Sequence, residues 1–515
     1  MKRFQDNCAC VCTPVEGDIA YISGVFIFKN YPHGEASMIS FLKEYHQTGV
    51  LPFDDCIGCY QIRIDRKDGT KLYFTDHYGG TSFFIHWKSG SIASRLSDLL
   101  PANQRTPNYN AIAQFLYFNC IYSDDTIVAG VNRSDPDSYY IVANGVVEQR
   151  SKNLTPLYAL ESGDNALELL MKRVLRATDT LKKGCAITGG TDSRSILAHL
   201  LAQGEHPILT ITGGENDVDV KIAKEIAACV KERLVVSSDR AESETWMQES
   251  QQYADGSLGI CGFYRLIKQD KALSELGVTL KFGGAAGELY KNSFLNQDFP
   301  FYCGAPDWKK FLKFKLVTYD FPDGLCAGET AQALKQMKKL MYRRFSQYTG
   351  ETKAQAYLLA GYDIMRYRLA PVSNMENQFY VAYSPLMKRS VAASVLRTPP
   401  FSLEMQAWQR RQVTQYFPLL KDIRTDRGLT CNTKRMGAER MKSTLFLVNV
   451  ALRRMFSRKQ VSGRIDACLE DGLSSETYRN AVKRCVQLGI LSPNVEAEKI
   501  PLSIADRILT IGTFL

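Results

Sequence analysis

Two glycines and an acid stand among hydroxyl residues where an apolar run stops and a helical pattern starts, in CAITGGTDSRSILAHL (185–200). An apolar strand that feeds a Gly-Gly turn and then a helix aims backbone N–H groups and the positive end of the helix dipole at an anion, and glycine lets a ligand approach the main chain closely. Thr188, Gly189, Gly190, Thr191, Asp192 and Ser193 therefore read as a phosphate cradle, with Thr188 and Ser193 adding hydroxyl donors. Asp192 is out of place beside phosphates unless a divalent cation lies between them, so it predicts Mg²⁺. A tight turn closing on a helix N-cap would use the same residues for purely local reasons. The Walker pattern G-x-x-x-x-G-K-[ST] is missing, and no G-x-G-x-x-G follows a strand, so the ligand expected is a nucleotide held by another kind of loop.

The elements that must position this loop alternate in type. A helical spacing over NALELLMKRVLRATDTLKK (165–183) is followed by a strand at GCAIT, a helix over 191–203 stopped by Gly204, a strand at PILTIT, a helix over 217–231 and a strand at RLVVS. Such alternation predicts βαβ units on a parallel sheet. Upstream, residues 56–94 run with a period of two: CYQIRID, KLYFTDH, TSFFIHW and SIAS are separated by Asp68-Gly69, Gly79-Gly80 and Ser89-Gly90, which predicts an antiparallel meander. The pattern changes in the polar, turn-rich EQRSKNLTPLYALESGDN (148–165), so the expected domains are 1–158 and 159–515 of an α/β protein, with mostly helix beyond about residue 300.

At 515 residues the chain is longer than one hydrophobic core usually serves. Its net charge of +10, from 64 basic and 54 acidic residues spread along the length, suits mild attraction to anions without arguing for nucleic acid. Fourteen cysteines with no leader-like start predict reduced thiols, no disulfides and a cytoplasmic location. No run of about 18 apolar residues predicts a spanning helix. The segment STLFLVNVALRRMFSRK (443–459) is amphipathic and basic, fit either to face a core or to lie on an anionic surface. Cys8, Cys10 and Cys12 with the C-x-x-C of Cys56 and Cys59 lack a second C-x-x-C to complete a zinc site, and the six histidines show no ligand spacing.

TGGTDSR (188–194) resembles the S-G-G-x-D-S loop of the ATP pyrophosphatase (PP-loop) superfamily, in particular the synthetase domain of asparagine synthetase-like enzymes. DVKIAKEIAACV (219–230) is similar to that family's D-x-x-x-A-x-x-V-A helix, FGGAAGELY (282–290) to its third glycine loop G-E-G-x-D-E, and AYSPLMKRSVAASVLRTPP (382–400) to its P-F-L-D helix. LYFTDHYGGTSFFIHWKSGSIASRL (72–96) is similar to the D-R-x-G-x-x-P-L-Y-Y…F-A-S-E segment of its glutaminase domain. In this order the similarities cover roughly residues 20–430. The resemblance implies an N-terminal Ntn-hydrolase-like αββα sandwich, of the class II glutamine amidotransferase kind, followed by a PP-loop parallel-sheet domain with a helical extension. It further implies an ATP-dependent, AMP-forming amide ligase: a carboxylate attacks the α-phosphate, pyrophosphate leaves, and an amine then displaces AMP. On this resemblance Thr188, Gly189, Gly190, Thr191, Asp192 and Ser193 bind pyrophosphate, with Gly283 and Gly284 at the nucleotide too. Ile187 and Ile211 contact the adenosine, and Asp192 and Glu288 hold Mg²⁺. Arg194 either reaches a phosphate with two N–H groups or lies in solvent. In KDIRTDRGLTCNTKR (421–435), Arg427 is favoured over Lys421 and Lys434 as the late base that steadies the leaving pyrophosphate. The implied partners are a small-molecule, peptide or saccharide carboxylate and an amine, with no nucleic acid; relatives of this kind close β-lactam rings or lasso peptides.

Two departures limit what carries over. Ser23 of ISGVFIF (22–28) occupies the place of the glutaminase cysteine, behind an extension beginning MKRFQDNCACVC, where loss of Met1 exposes Lys2 and only trimming would expose Cys8. The N-G-E-I-Y-N segment is missing and His77 replaces the D-R-x-G arginine, so glutaminase activity is expected to be absent and the amine to come from elsewhere. In the third glycine loop the family's Glu and Asp fall on Gly284 and Gly287, leaving Glu288, with Asp217, Asp219 or Asp255 as alternative acids. A nucleotide-binding scaffold without catalysis therefore stays open. So does a tRNA-modifying PP-loop enzyme, which would be expected to bring a basic RNA-binding appendage and often a persulfide cysteine.

Overall fold

Nine strands of the first 151 residues form two antiparallel sheets. They are β1 (Ala9–Val11), β2 (Ile19–Phe28), β3 (Cys56–Asp65), β4 (Lys71–Thr75), β5 (Phe84–His86), β6 (Ser91–Ala93), β7 (Val131–Arg133), β8 (Ser138–Ala143) and β9 (Val146–Ser151). This computed structural model describes residues 9–238, 245–316, 321–456 and 467–515. The larger sheet has the order β1-β2-β3-β4-β8-β9 and the smaller β6-β5-β7. The expected single meander over 56–94 is thus corrected: β3 and β4 pair as a hairpin, but β5 and β6 belong to the second sheet. Asp76 is the physical cause. Its carboxylate accepts the amides of Tyr78 (3.2 Å), Gly80 (2.9 Å) and Thr81 (3.0 Å), and this tight turn takes the chain out of the first sheet. A period of two reports which face is buried, not which sheet the strand joins.

Helix α1 (Glu35–Thr48) lays Met38, Phe41 and Leu42 on Phe26, Phe28 and Phe74, with the Phe41 ring edge-on to Phe26 (5.8 Å) and Phe28 (5.5 Å). On the opposite face Tyr73 and Tyr140 meet Phe83 and Ile85 of the smaller sheet. Beyond it, α2 (Tyr109–Phe118) packs Ala111, Ile112 and Phe115 in one cluster with Phe84 and with Ile504, Ile508 and Leu509 of the C-terminal helix Leu502–Phe514. The layers run helix, sheet, sheet, helix.

The second half is a parallel sheet. Helix α3 (Ala166–Ala177) ends earlier than its pattern suggested, because the Thr178 hydroxyl bonds the Val174 carbonyl (2.8 Å) and Lys183 already starts a strand. Then come β10 (Lys183–Ala186), α4 (Thr191–Ala202), β11 (Ile208–Thr212), α5 (Val218–Val230), β12 (Leu234–Ser237), β13 (Leu280–Phe282) and β14 (Val381–Tyr383). Their order is β12-β11-β10-β13-β14, every pair parallel. The central strands place Cys185, Leu209, Leu280 and Phe282 in the core, with Lys183, Thr210 and Lys281 buried among them. The same apolar cluster takes in Val25, Ile27, Ile57 and Cys59, so one core runs through both halves. The basic stretch 443–459 falls in the helix Met436–Phe456, with 457–459 outside the described residues; Leu447 is buried there, while Met441, Leu445 and Phe446 are exposed. Among the described residues no helix is long and apolar enough to cross a membrane.

Helix α4 is clamped at its C-terminal end by the helix Ala407–Tyr416. His199 is fully buried, its Nε2 lies 2.8 Å from Gln412 Oε1, and its ring lies 4.0 Å from that of Tyr416. Burial lowers its pKa to about 4, so the fold keeps it neutral while an unfolded chain protonates near its ordinary value. Its contribution is therefore present above about pH 6.5 and lost as pH falls toward 4, a change of about 3 kcal/mol. Urea midpoints at pH 7 and 4.5 should fall less for His199→Gln than for the parent chain; parallel losses would contradict this assignment.

Candidate functional site

The order of the parallel sheet reverses at β10. From there β11 and β12 extend to one side and β13 and β14 to the other, and in such sheets the carboxyl ends at the reversal flank a crevice where ligands bind. The segments leaving β10 and β13 are the two glycine-rich loops. Cys185 and Phe282 are register partners, so both loops start side by side.

They touch at two glycines of the second of these loops. A Cβ on Gly284 would lie 2.6 Å from the Ser193 nitrogen, and one on Gly287 would lie 2.0 Å from Asp192 Cγ. The third loop thus rests its bare backbone on the first turn of α4, with Ala286 buried in the left-handed region at φ 67. Within the first loop the amides are already engaged: Thr188 N–H donates to Ser193 Oγ (3.0 Å), Gly189 N–H to Asp219 Oδ1 (2.9 Å) and Gly190 N–H to Thr188 Oγ1 (3.2 Å). Gly190 is the N-cap of α4 and offers no capping side chain, so the amides of the helix's first turn point toward the loop mouth. Thr191 donates its hydroxyl to Gln406 Oε1 (2.9 Å).

Each residue singled out by sequence has a place. Ile187 follows β10 and Ile211 lies on β11, both buried, and Gly283 follows β13 with its amide on the Tyr383 carbonyl (3.1 Å). Arg194 corrects both expectations for it. It is wholly buried, reaching neither solvent nor the loop mouth, and its guanidinium donates to the carbonyls of Ile423 (2.6 Å), Arg424 (3.2 Å) and Gly189 (3.3 Å). It ties the loop to segment 423–431, and Asp426 N–H closes the same junction on the Gly189 carbonyl (3.2 Å). Arg427 is therefore brought beside the loop, exposed, with its guanidinium 5.1 Å from the Phe446 ring centroid. Of the alternative acids Asp219 reaches the loop. Asp217 accepts the Gly214 amide (2.7 Å), and Asp255 accepts those of Leu96 (2.6 Å) and Ser97 (2.9 Å) far from it. In the first half, Ser23 lies mid-strand, opposite Ala9 on one side and Gln61 on the other, so its nitrogen is a peptide nitrogen. His77 is buried, and burial, with Lys152, Lys388 and Arg389 nearby, holds its pKa well below the ordinary value.

Asp192 does not meet a metal ligand set. Its Oδ2 is 2.5 Å from the Lys291 ammonium and its Oδ1 accepts from Gln409 Nε2 (3.1 Å), while Glu288 is exposed. Among the described residues no group of three or more His, Cys, Asp or Glu is gathered; Mg²⁺ on a nucleotide needs only one or two carboxylates beside the phosphates, and it is the Lys291 ammonium that takes the place beside Asp192. The residues present do not fit the Mg²⁺ expected at Asp192 and Glu288. The chain matches no protein-family model, and no curated protein is similar to it.

Lys291, Gln406 and Gln409 escaped the sequence reading. Lys291 stands one residue past FGGAAGELY, and no local signal marks it, because the Asp192 it pairs with is far away along the chain. The close approach of the loops is directly testable. Gly287→Ala should destabilise the chain by about 1–3 kcal/mol through overpacking against Asp192, whereas Gly437→Ala, with open space around its Cβ, should not. Equal chemical denaturation midpoints for the two variants would contradict the packing described.

Proposed function

We propose that this chain is an asparagine synthetase-like, AMP-forming amide ligase that has no glutaminase of its own. On this reading the first half is a degenerate Ntn-hydrolase-like sandwich and the second a PP-loop synthetase domain working in the cytoplasm. The observation that carries it is the reversal of strand order at β10, which sets two glycine loops and an uncapped helix start at one carboxyl edge. The order of motifs along the sequence supports the same reading.

The chemistry asks the protein mainly for position and charge. A substrate carboxylate oxygen forms the bond to the α-phosphorus of ATP as the bond to the β-phosphate bridging oxygen breaks, and pyrophosphate leaves with that electron pair. An amine then attacks the acyl carbon, AMP departs, and the amine proton passes to solvent or phosphate. On this reading the amides opening α4 and the Thr188 hydroxyl hold the departing pyrophosphate, Ile187 and Ile211 flank the adenosine, and Arg427, next to the Asp426 that joins the loop, steadies the leaving charge. With Ser23 inside a strand the amine is free ammonia, a second molecule or part of the substrate.

A second reading, a nucleotide-binding protein without turnover, is favoured by one observation: both oxygens of Asp192 are taken by protein donors. Pyrophosphate release separates the two. With ATP, a panel of carboxylic acids and ammonia, the ligase releases pyrophosphate only when an acid is present, and Asp192→Ala lowers that rate roughly 100-fold or more. ATP binding with no release supports the second reading, and release that requires tRNA overturns both.

A further inference from the structure

The loss of both family acids and the presence of Lys291 belong to one change. The space that a side chain at 287 would fill is occupied by Asp192 itself, since a Cβ there would lie 2.4 Å from both its Cβ and its Oδ2. An acid at 287 and Asp192 in this position exclude each other. What faces Asp192 instead is Lys291 Nζ at 2.5 Å, on a side chain only 15% exposed. We infer that Lys291 stands in for the divalent cation, so that this site takes the phosphates of its nucleotide without magnesium. This rests on the nucleotide reading above.

Three features make the ammonium suited to the task. It carries three donors, and among the described residues Asp192 is its only partner, which leaves two N–H groups for a ligand. It sits against the residue at the second position of α4, next to a helix start that has no capping side chain, so its charge and the helix dipole act on the same point. Gln409 holds the same carboxylate: the residue is wholly buried, its Nε2 spans Asp192 and the Gly287 carbonyl (3.4 Å), and its Oε1 has no partner among the described residues. Phosphate oxygens at Lys291 would take up its two remaining N–H groups. Unlike a metal, the ammonium is covalently held and needs no coordination sphere, so the missing acids cost the site nothing.

Calorimetry of the full chain with ATP, once in EDTA and once in excess magnesium, tests this. Binding should persist in EDTA, and magnesium should change the affinity by less than about 10-fold. The double variant Asp192→Asn/Lys291→Met, which leaves no lone charge behind, should weaken binding in EDTA roughly 10- to 100-fold, while Lys291→Arg retains it. Binding confined to magnesium overturns the inference and leaves the nucleotide reading standing. Binding in neither buffer overturns that reading, and this one with it. Titration of the unliganded parent chain with Mn²⁺, followed by electron paramagnetic resonance, depends on neither nucleotide nor variant folding. No bound Mn²⁺ is expected at this site, and a bound ion that Asp192→Asn releases overturns the inference.

Discussion

Everything at the candidate site depends on how closely two backbones approach at the point where the parallel sheet reverses. Strands β10 and β13 are parallel register neighbours, so the loops that follow them leave the same edge of the sheet, and here Gly284 and Gly287 let those loops meet with no side chain at 284 or 287 between them. That contact fixes the Asp192 carboxylate, and the carboxylate in turn fixes Lys291 and Gln409. A half-buried carboxylate without a partner would be costly. Lys291 supplies that partner from within the chain.

The surroundings hold this junction still. Arg194 gathers the carbonyls of Gly189, Ile423 and Arg424, Asp219 caps the Gly189 amide, and His199 with Gln412 and Tyr416 locks the far end of α4. Helix α4 is thus pinned at both ends by segments more than 200 residues away in sequence, 229 for Arg194 to Ile423 and 213 for His199 to Gln412. Rigid support of this sort suits a loop that must present amides to a ligand without reorganising. In the first half, β1 extends the sheet beside Ser23, so the place where a terminal nucleophile would open the strand is covered by more strand.

The elements around β10 to β12 were legible in the sequence because local spacing determines them: each apolar run is short, α5 has a single buried face, and Gly204 and Asp217 mark an end and a start. The split of 56–94 between two sheets was not, because it turns on Asp76 capturing three amides, which strand periodicity does not register. Arg194 was misread for a related reason. A guanidinium in the first turn of a helix looks outward until the carbonyls that cover it are known, and those come from residues 423 and 424. The loop at 188–193 could be found from glycine and acid placement alone, but not the state of its acid, since an ion pair between positions 192 and 291 leaves no local trace.

The most direct measurement is a crystal structure of the chain with ATP, grown without any divalent cation. The account predicts phosphate oxygens at the amides that open α4 and within hydrogen-bonding distance of Lys291 Nζ, with Asp192 still paired to that ammonium. ATP seated elsewhere, or held at Asp192 only after a divalent cation is added and with Lys291 turned away, would contradict it.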